Sequence, residues 1–380
     1  MTISLTIIII CGALILLSVT TPLINILLRL PHAEEEPSDD GQRPALSIIV
    51  VASDNAIELR DNLPRLLEQD YPAGYEVIVV VEKNDDETDD ILKHLCARYD
   101  NLYTTFIPSS SRYMSRRKLA VTVGVKAAKN EWMVLTDATC VPASALWLSH
   151  MASHCDEGTD MVTGYSNYGD DTARHKRFMR MHTEMYLMRE TMKGTAYRTE
   201  GNNLMFRKSM FMKGRGYEGN LKYVMGEYDF LVNKYAERHR TAVEMRPDAW
   251  IMDNMPTKRA WMNKRIFYME TRKHLKRRIG HRLPAIADAT AMHVNYIAIV
   301  AAAIVAIVSG LWVMGGAAAL ALLITVVLRT VIGGKAVSEY CPGIATWMVV
   351  PLELSMVWCN VYYRIRYIMA DKYDFICHKV

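Results

Sequence analysis

The sequence predicts an α/β domain built on a mostly parallel sheet and flanked by transmembrane helices. Three observations carry that expectation. A mean hydropathy of +0.01 coexists with 23% charged residues, so charge and apolarity are segregated along the 380 residues. Between the apolar ends, short β-branched runs alternate with helix-compatible stretches. Those runs end on polar clusters, and open α/β sheets bind ligands at such strand ends.

Residues 3–28 carry no charge and are long enough to cross a bilayer as a helix. No Lys or Arg precedes this run and Arg29 follows it. Residues 1–30 therefore read as a retained anchor; a cleaved signal peptide would have a basic leading region and a small-residue cleavage site. The stretch 31–44 (with AEEEPSDDGQRP) is acidic and rich in turn formers, as a linker is. The run 46–52 (LSIIVVA) is of buried-strand type. Helix-compatible IELRDNLPRLLEQ, the turn DYPAGY and a second strand at 76–81 (EVIVVV) follow.

The acidic cluster 82–90 leads into ILKHLCARY, which has helical periodicity. A third β-like run (NLYTTFIP) and a basic helical stretch (SRRKLAVTVGVKAAK) precede a fourth strand at 131–135, which ends in TDATC. This alternation implies βαβ units and a parallel sheet. Such a sheet sets 52–54, Glu82 and Asp137 along one edge as a candidate pocket.

Further on, Phe178, Met181, Met185, Met188 and Met192 recur at helical spacing and read as a core face. His150 and His154 lie one helical turn apart but have no third ligand in a metal-site pattern. Neither a G-x-G-x-x-G nor a P-loop motif occurs, so those phosphate cradles are excluded. Seven scattered cysteines without C-x-x-C fit a reducing compartment and argue against disulfides or structural zinc.

The second apolar block holds expected spans at 294–314 and 316–333. A third segment, 344–363, is marked by Pro342, Pro351 and Glu353 and is the one best suited to lie in the interface. Domain boundaries follow: 45–285 for the central domain and 286–380 for a membrane region with two or three helices. The stretch 258–282 has ten Lys or Arg against the single acid Glu270. The positive-inside rule places it and the central domain in the cytoplasm, against anionic lipid rather than nucleic acid. Arg364, Arg366, Lys372 and Lys379 favour a cytoplasmic C-terminus by the same rule.

Six segments, in order, resemble the membrane-anchored bacterial members of the inverting family-2 glycosyltransferases, which have the GT-A fold. LSIIVVASDN is similar to the family's first strand and nucleotide-contacting turn, and LLEQDYPAGYEVIVVV to its Q-x-Y-P link into the second strand. EKNDDET resembles the D-G-S-x-D-x-T turn. RRKLAVTVGVKAAKNEWMVLTDATC resembles the K-x-x-A-x-N-x-G helix and the D-x-D strand. GNNLMFRKSMF is similar to the acceptor-side G-x-N-x-x-x-R segment, and GEYDFLVNK lies where the E-D motif supplies a general base. The likeness spans roughly 45–270.

The resemblance implies a hexosyltransferase-type enzyme at the bacterial inner membrane. It would move a sugar, with inversion, from a nucleotide-sugar donor to a lipid-linked or glycan acceptor. Ala52, Ser53, Asp54, Glu82, Lys118 and Asp137 would bind the donor, and Asn203 and Arg207 would lie on the acceptor side. Asp137 would hold a divalent metal, Mg²⁺ or Mn²⁺, whose oxygen ligands would include the donor diphosphate. Asp229 would act as general base with Glu227 in support. The sequence departs from the pattern at Thr139, where a second acid is expected, and at Tyr228, which splits the acidic pair. Those departures keep open an alternative, a non-catalytic subunit that binds nucleotide or a partner enzyme. The Q-x-x-R-W motif of processive synthases is not intact; Lys264 and Arg265 after Trp261 only echo it, which favours a short product.

Overall fold

The structure, a computed structural model, describes residues 4–31, 43–52, 55–82, 86–107 and 115–377. The chain forms two compact units, one of residues 1–30 with 277–361 and one of residues 31–276 with 362–380. Helix α1 (Leu5–Leu23) opens the first unit. The second begins with β1 (Leu46–Val51), α2 (Ala56–Leu67), β2 (Tyr75–Glu82), α3 (Asp86–Cys96), β3 (Leu102–Ile107), α4 (Arg116–Ala127) and β4 (Trp132–Asp137). All four strands expected between 46 and 137 are therefore formed. Every residue of β1 is buried, which is why its sequence shows no polar alternation. Helix α4 packs so closely on β1 that a Cβ at Gly124 would come within 2.6 Å of the Ile49 side chain.

The unit continues through β5 (Cys140–Pro142), α5 (Trp147–Ala152), β6 (Met161–Gly164), β7 (Ser166–Tyr168), α6 (Arg174–Lys193), β8 (Leu204–Arg207) and α7 (Lys208–Lys213). It then adds α8 (Glu227–Tyr235), β9 (Thr241–Glu244), β10 (Ile251–Asp253) and α9 (Lys258–Thr271). A seven-stranded sheet runs β3-β2-β1-β4-β8-β6-β9. Only β8 is antiparallel to its neighbours there; the other pairs are parallel. Val51 lies opposite both Val80 and Asp137, so the ends of β1, β2 and β4 share one edge, as the alternation implied. A small sheet, β5-β10-β7, pairs Asp253 with Cys140 and brings the end of β10 to that edge. On α6, Phe178, Met181, Met185 and Met188 are buried as a core face, whereas Met192, expected on that face, is exposed near the end of the helix.

The other unit adds α10 (Arg278–Ser309), α11 (Trp312–Tyr340) and the start of α12 (Val349–Met369). Helices α1, α10 and α11 are long and apolar enough to cross a membrane. Leu14, Ile299, Ala318 and Ala321 pack together among them. Polar groups lock the same helices. Ser18 donates to Asn295 (3.0 Å), whose amide donates to Thr325 (2.8 Å). Arg329 pairs with Asp288 (2.9 Å) and Glu353 (2.7 Å), and Asn25 donates to Glu353 (2.8 Å). An unpaired charge in apolar surroundings costs several kcal/mol, so this set fixes which helix faces meet. Glu353, an obstacle to reading 344–363 as a span, is thereby accounted for.

The end of α12 and the residues after it correct one sequence boundary. Although 286–380 reads as one membrane region, residues 362–377 pack with the sheet unit. The Trp261 indole N–H donates to the Tyr363 hydroxyl (2.8 Å), and the Phe375 and Phe267 rings meet edge to face at 5.0 Å. Aromatic burial outweighs the proximity of this tail in sequence to apolar helices. The tail and the sheet unit are therefore expected on the same side of a membrane. Ile57 and Tyr373 are 60% and 65% exposed, so Ile57→Cys and Tyr373→Cys in a cysteine-free chain should react with an impermeant thiol reagent from the same face of sealed vesicles. Labelling from opposite faces would contradict this packing.

Candidate active site

A cavity of about 380 Å³ opens in the sheet unit between the end of β4, residues 198–202, the start of α8, β10 and α9. Its central contact is Arg117, in the first turn of α4. The guanidinium donates to Asp137 (2.5 Å) and to Glu227 (2.6 Å) at once. The two carboxylates outweigh the desolvation of Arg117 and hold it charged. Burial pushes the Asp137 carboxyl above the usual range, with Arg117 opposing. Burial acts the same way on Glu227, but there Arg117 and Lys118 prevail and its pKa falls. The second oxygen of Glu227 is buried and accepts no hydrogen bond among the described residues.

Gly226 starts α8 with φ +92°, and a Cβ there would lie 2.5 Å from the Thr271 side chain. Glycine is thus required where the chain turns into the helix. The turn presents Glu227 and Asp229 together in the first helical turn. Asp229 lies 3.6 Å from Arg198, which pairs with Glu200 (2.7 Å) and covers the Tyr268 ring at 4.2 Å. Burial pushes the Asp229 carboxyl up to about 6.

Asp253, at the end of β10, accepts from Thr139 (2.7 Å), Arg180 (2.9 Å) and Asn202 (2.8 Å). Gly201 and Asn202 both have positive φ, at +97° and +72°. That left-handed pair turns the chain so that the Asn202 amide reaches Asp253. Beyond it, Arg265 stacks on Trp261 at 4.3 Å, and its Nε and one Nη are buried without partners among the described residues.

The cavity brings together Asp137, Glu227 and Asp229 from the residues expected on sequence grounds. Ala52 is buried just past β1, and Glu82 closes β2. Ser53, Asp54 and the Glu82 side chain lie outside the described residues. Three others stand away from the cavity wall. Lys118 is fully buried and donates to the carbonyls of Tyr223 and Met225 (3.0 Å to the latter), and burial lowers its pKa to about 8. Arg117, about 100° round the helix, takes the cavity face instead. Asn203 is an internal brace: it accepts from Trp147 (3.0 Å) and donates to Tyr165 (3.0 Å) and Ala249 (2.9 Å). Arg207 lies opposite Trp132 because β8 runs antiparallel to β4, which carries it to the far end of the sheet from Asp137.

Arg117, Arg198 and Asp253 escaped sequence reasoning. For Asp253 a signal existed, since WIMD repeats the pattern of an apolar run closed by an acid that singled out Asp137. Among the described residues no three His, Cys, Asp or Glu side chains converge to hold a metal by themselves.

The profile of the family described as "Glycosyltransferase like family 2" matches residues 44–266. No curated protein matches the chain. Among solved structures, the mannosyltransferase PcManGT of Pyrobaculum calidifontis, in complex with GDP-Man and Mn²⁺, is similar over 95% of this chain and 99% of its own, at TM-score 0.57 and 17% identity. TarS 1–349 of S. aureus with UDP-GlcNAc covers 65% of this chain and 71% of its own, at TM-score 0.44 and 14% identity.

The Arg117 bridge has a pH signature. In Arg117→Met, burial would raise both carboxyls above their unfolded values, so the folded state would bind more protons. Stability relative to wild type should then fall as pH rises from about 5 to about 8, with a total loss of about 3 kcal/mol at the upper end. Denaturant titration at both pH values checks this. An equal deficit at the two would mean that Arg117 does not neutralise the pair.

Proposed function

As the chain belongs to the glycosyltransferase-like family 2, we propose that it transfers a sugar, with inversion, from a nucleotide-sugar donor to a lipid-linked or glycan acceptor. The observation that carries this reading is the shared cavity. Strand-end acids Asp137 and Asp253 form one wall, and the first-turn acids Glu227 and Asp229 form another. The strand-end wall would take the donor diphosphate, with Ala52, Ser53, Asp54 and Glu82 on the nucleotide side. The α8 wall would meet the acceptor hydroxyl, which must attack from the face opposite the leaving group.

Asp229 is the base. A carboxyl raised to about 6 is ionised at neutral pH yet remains a stronger proton acceptor than an exposed aspartate. Glu227 is held charged by Arg117 and stands in the same first helical turn as Asp229. Arg117 thus orients the acceptor-side acid while neutralising the donor-side one.

A diphosphate entering this cavity needs compensating charge. Glu58, Asp137, Glu200, Glu227, Asp229 and Asp253 line it against Arg117, Arg198, Lys264 and Arg265. Asp137 and Asp253 would hold Mg²⁺ or Mn²⁺, with the remaining oxygens from the donor and water, a mode in which one or two carboxylates suffice. The donor set fits such an ion, because each acid belongs to a strand end of the same cavity and Thr139 supports Asp253 by a hydrogen bond. When bound, the ion supplies charge neutralisation at the leaving diphosphate. The similar mannosyltransferase carries GDP-Man and Mn²⁺ together, which supports a divalent ion beside the donor.

Helices α1, α10 and α11 would hold the sheet unit at the cytoplasmic face of a bacterial inner membrane, close to a lipid-borne acceptor. One observation favours a second reading, a nucleotide-binding subunit without catalysis: Arg117 already occupies both Asp137 and Glu227.

Two measurements test these assignments. Release of nucleoside diphosphate from a panel of nucleotide sugars, with membrane extract as acceptor, should rise on the acid side through about pH 6. Asp229→Asn should lower kcat by about 10²–10⁴-fold while donor affinity stays nearly constant. A fully active Asp229→Asn would remove Asp229 as base; donor binding with no turnover in wild type would favour the subunit reading. Asp253→Asn should weaken Mn²⁺ binding in the presence of nucleoside diphosphate, read by electron paramagnetic resonance, by about tenfold for one lost charged ligand. Unchanged Mn²⁺ affinity would remove Asp253 from the metal site.

A further inference from the structure

We propose that the C-terminal tail is a positioning strap for the two acids of α8, acting through residues 221–225. The proposal rests on the catalytic reading of Glu227 and Asp229. Residues 221–225 lead directly into Gly226 and the first turn of α8. They belong to none of the named strands, yet all five of their carbonyls are bonded. On one side, the Ser115 N–H donates to the Leu221 carbonyl (3.0 Å) and the Ser115 hydroxyl to that of Val224 (2.7 Å). Lys118 donates to the carbonyls of Tyr223 and Met225. The start of α4 thus grips four of the five.

The tail supplies the rest. The Cys377 N–H donates to the Lys222 carbonyl (2.8 Å), and the Val224 N–H donates to the Phe375 carbonyl (3.1 Å). Together they make an antiparallel bridge between Tyr223 and Ile376. The segment is therefore clamped along its length between α4 and the tail.

The tail is itself fixed to the cavity wall. Phe375 is buried against Phe267 and Tyr367, with ring centroids at 5.0 and 5.4 Å. Tyr367 is hydrogen-bonded to Glu270 and Lys273. Phe267 and Glu270 belong to α9, whose earlier residues Trp261, Lys264 and Arg265 line the cavity. The chain of contacts runs from α9 through Phe375 and Cys377 to 222–224, and from there to Gly226, Glu227 and Asp229. Lys118 joins it from the other side as a positioning residue. A base displaced by about 1 Å loses on the order of a hundredfold in rate, so a strap acting on backbone position would be felt in kcat more than in donor binding.

The test combines hydrogen exchange with kinetics on the full chain. Cys377→Pro removes one backbone donor and leaves the core intact, and Phe375→Ala removes the tail's anchor. Tyr373→Ala, at an exposed side chain, is the control, and Phe375→Leu is the conservative rescue. In the first two variants, amide exchange at 221–225 should become about tenfold faster, as expected for a local opening eased by one lost interaction. Their kcat should fall about tenfold or more, with donor affinity by calorimetry within about threefold of wild type. The control and the rescue should stay near wild type in both readouts. Unchanged exchange at 221–225 in Cys377→Pro overturns the strap, as does faster exchange with unchanged kcat. The exchange result stands even for a preparation that consumes no donor, which would count against the transferase reading instead.

Discussion

One partly exposed guanidinium, bridging two buried acids, organises the site. Arg117 sits between Asp137, at the end of a parallel strand, and Glu227, at the start of a helix some ninety residues on (positions 137 and 227). Removing it would leave two desolvated carboxylates facing each other, an arrangement whose cost exceeds that of the exposed ion pairs elsewhere on the chain. Its position follows from how closely α4 lies on the sheet, which Gly124 permits, and from the start of α8, which Gly226 permits. The end of β4 and the start of α8 therefore meet at a single residue, and their spacing is fixed by the reach of one side chain.

Thr139 becomes intelligible in this setting. On sequence it reads as an acid lost from a metal site. In the fold its hydroxyl supports Asp253, a carboxylate that enters from β10, and Arg180 and Asn202 hold that same acid. At this polar edge Thr139 serves as a donor to a neighbouring acid.

Much of the fold was legible because its signals are local. Strands β1, β2 and β4 are apolar runs buried on both faces, and their alternation with helices allows few topologies besides a parallel sheet. Asp137, Glu227 and Asp229, each singled out within a short motif, do line one cavity. What was not legible depends on non-local geometry. Helical phase decides that Arg117 and not Lys118 faces the cavity. The reversed direction of β8 sends Arg207 to the end of the sheet far from Asp137, and pairing with β5 brings Asp253 in. The tail's place with the sheet unit rests on aromatic contacts with α9, a partner about a hundred residues away by number (Phe267 to Phe375), and no pattern within the tail announces it.

The central claim is that the donor diphosphate lies against Asp137 and Asp253 while the α8 acids face the acceptor. Cryo-electron microscopy of the full chain with a nucleoside diphosphate and Mn²⁺ tests it most directly. The account predicts diphosphate density beside Asp137 and Asp253, with Arg117 still reaching Glu227 and Asp229 left open to an incoming hydroxyl. Nucleotide density outside this cavity, or a diphosphate seated against Glu227 and Asp229, would contradict it.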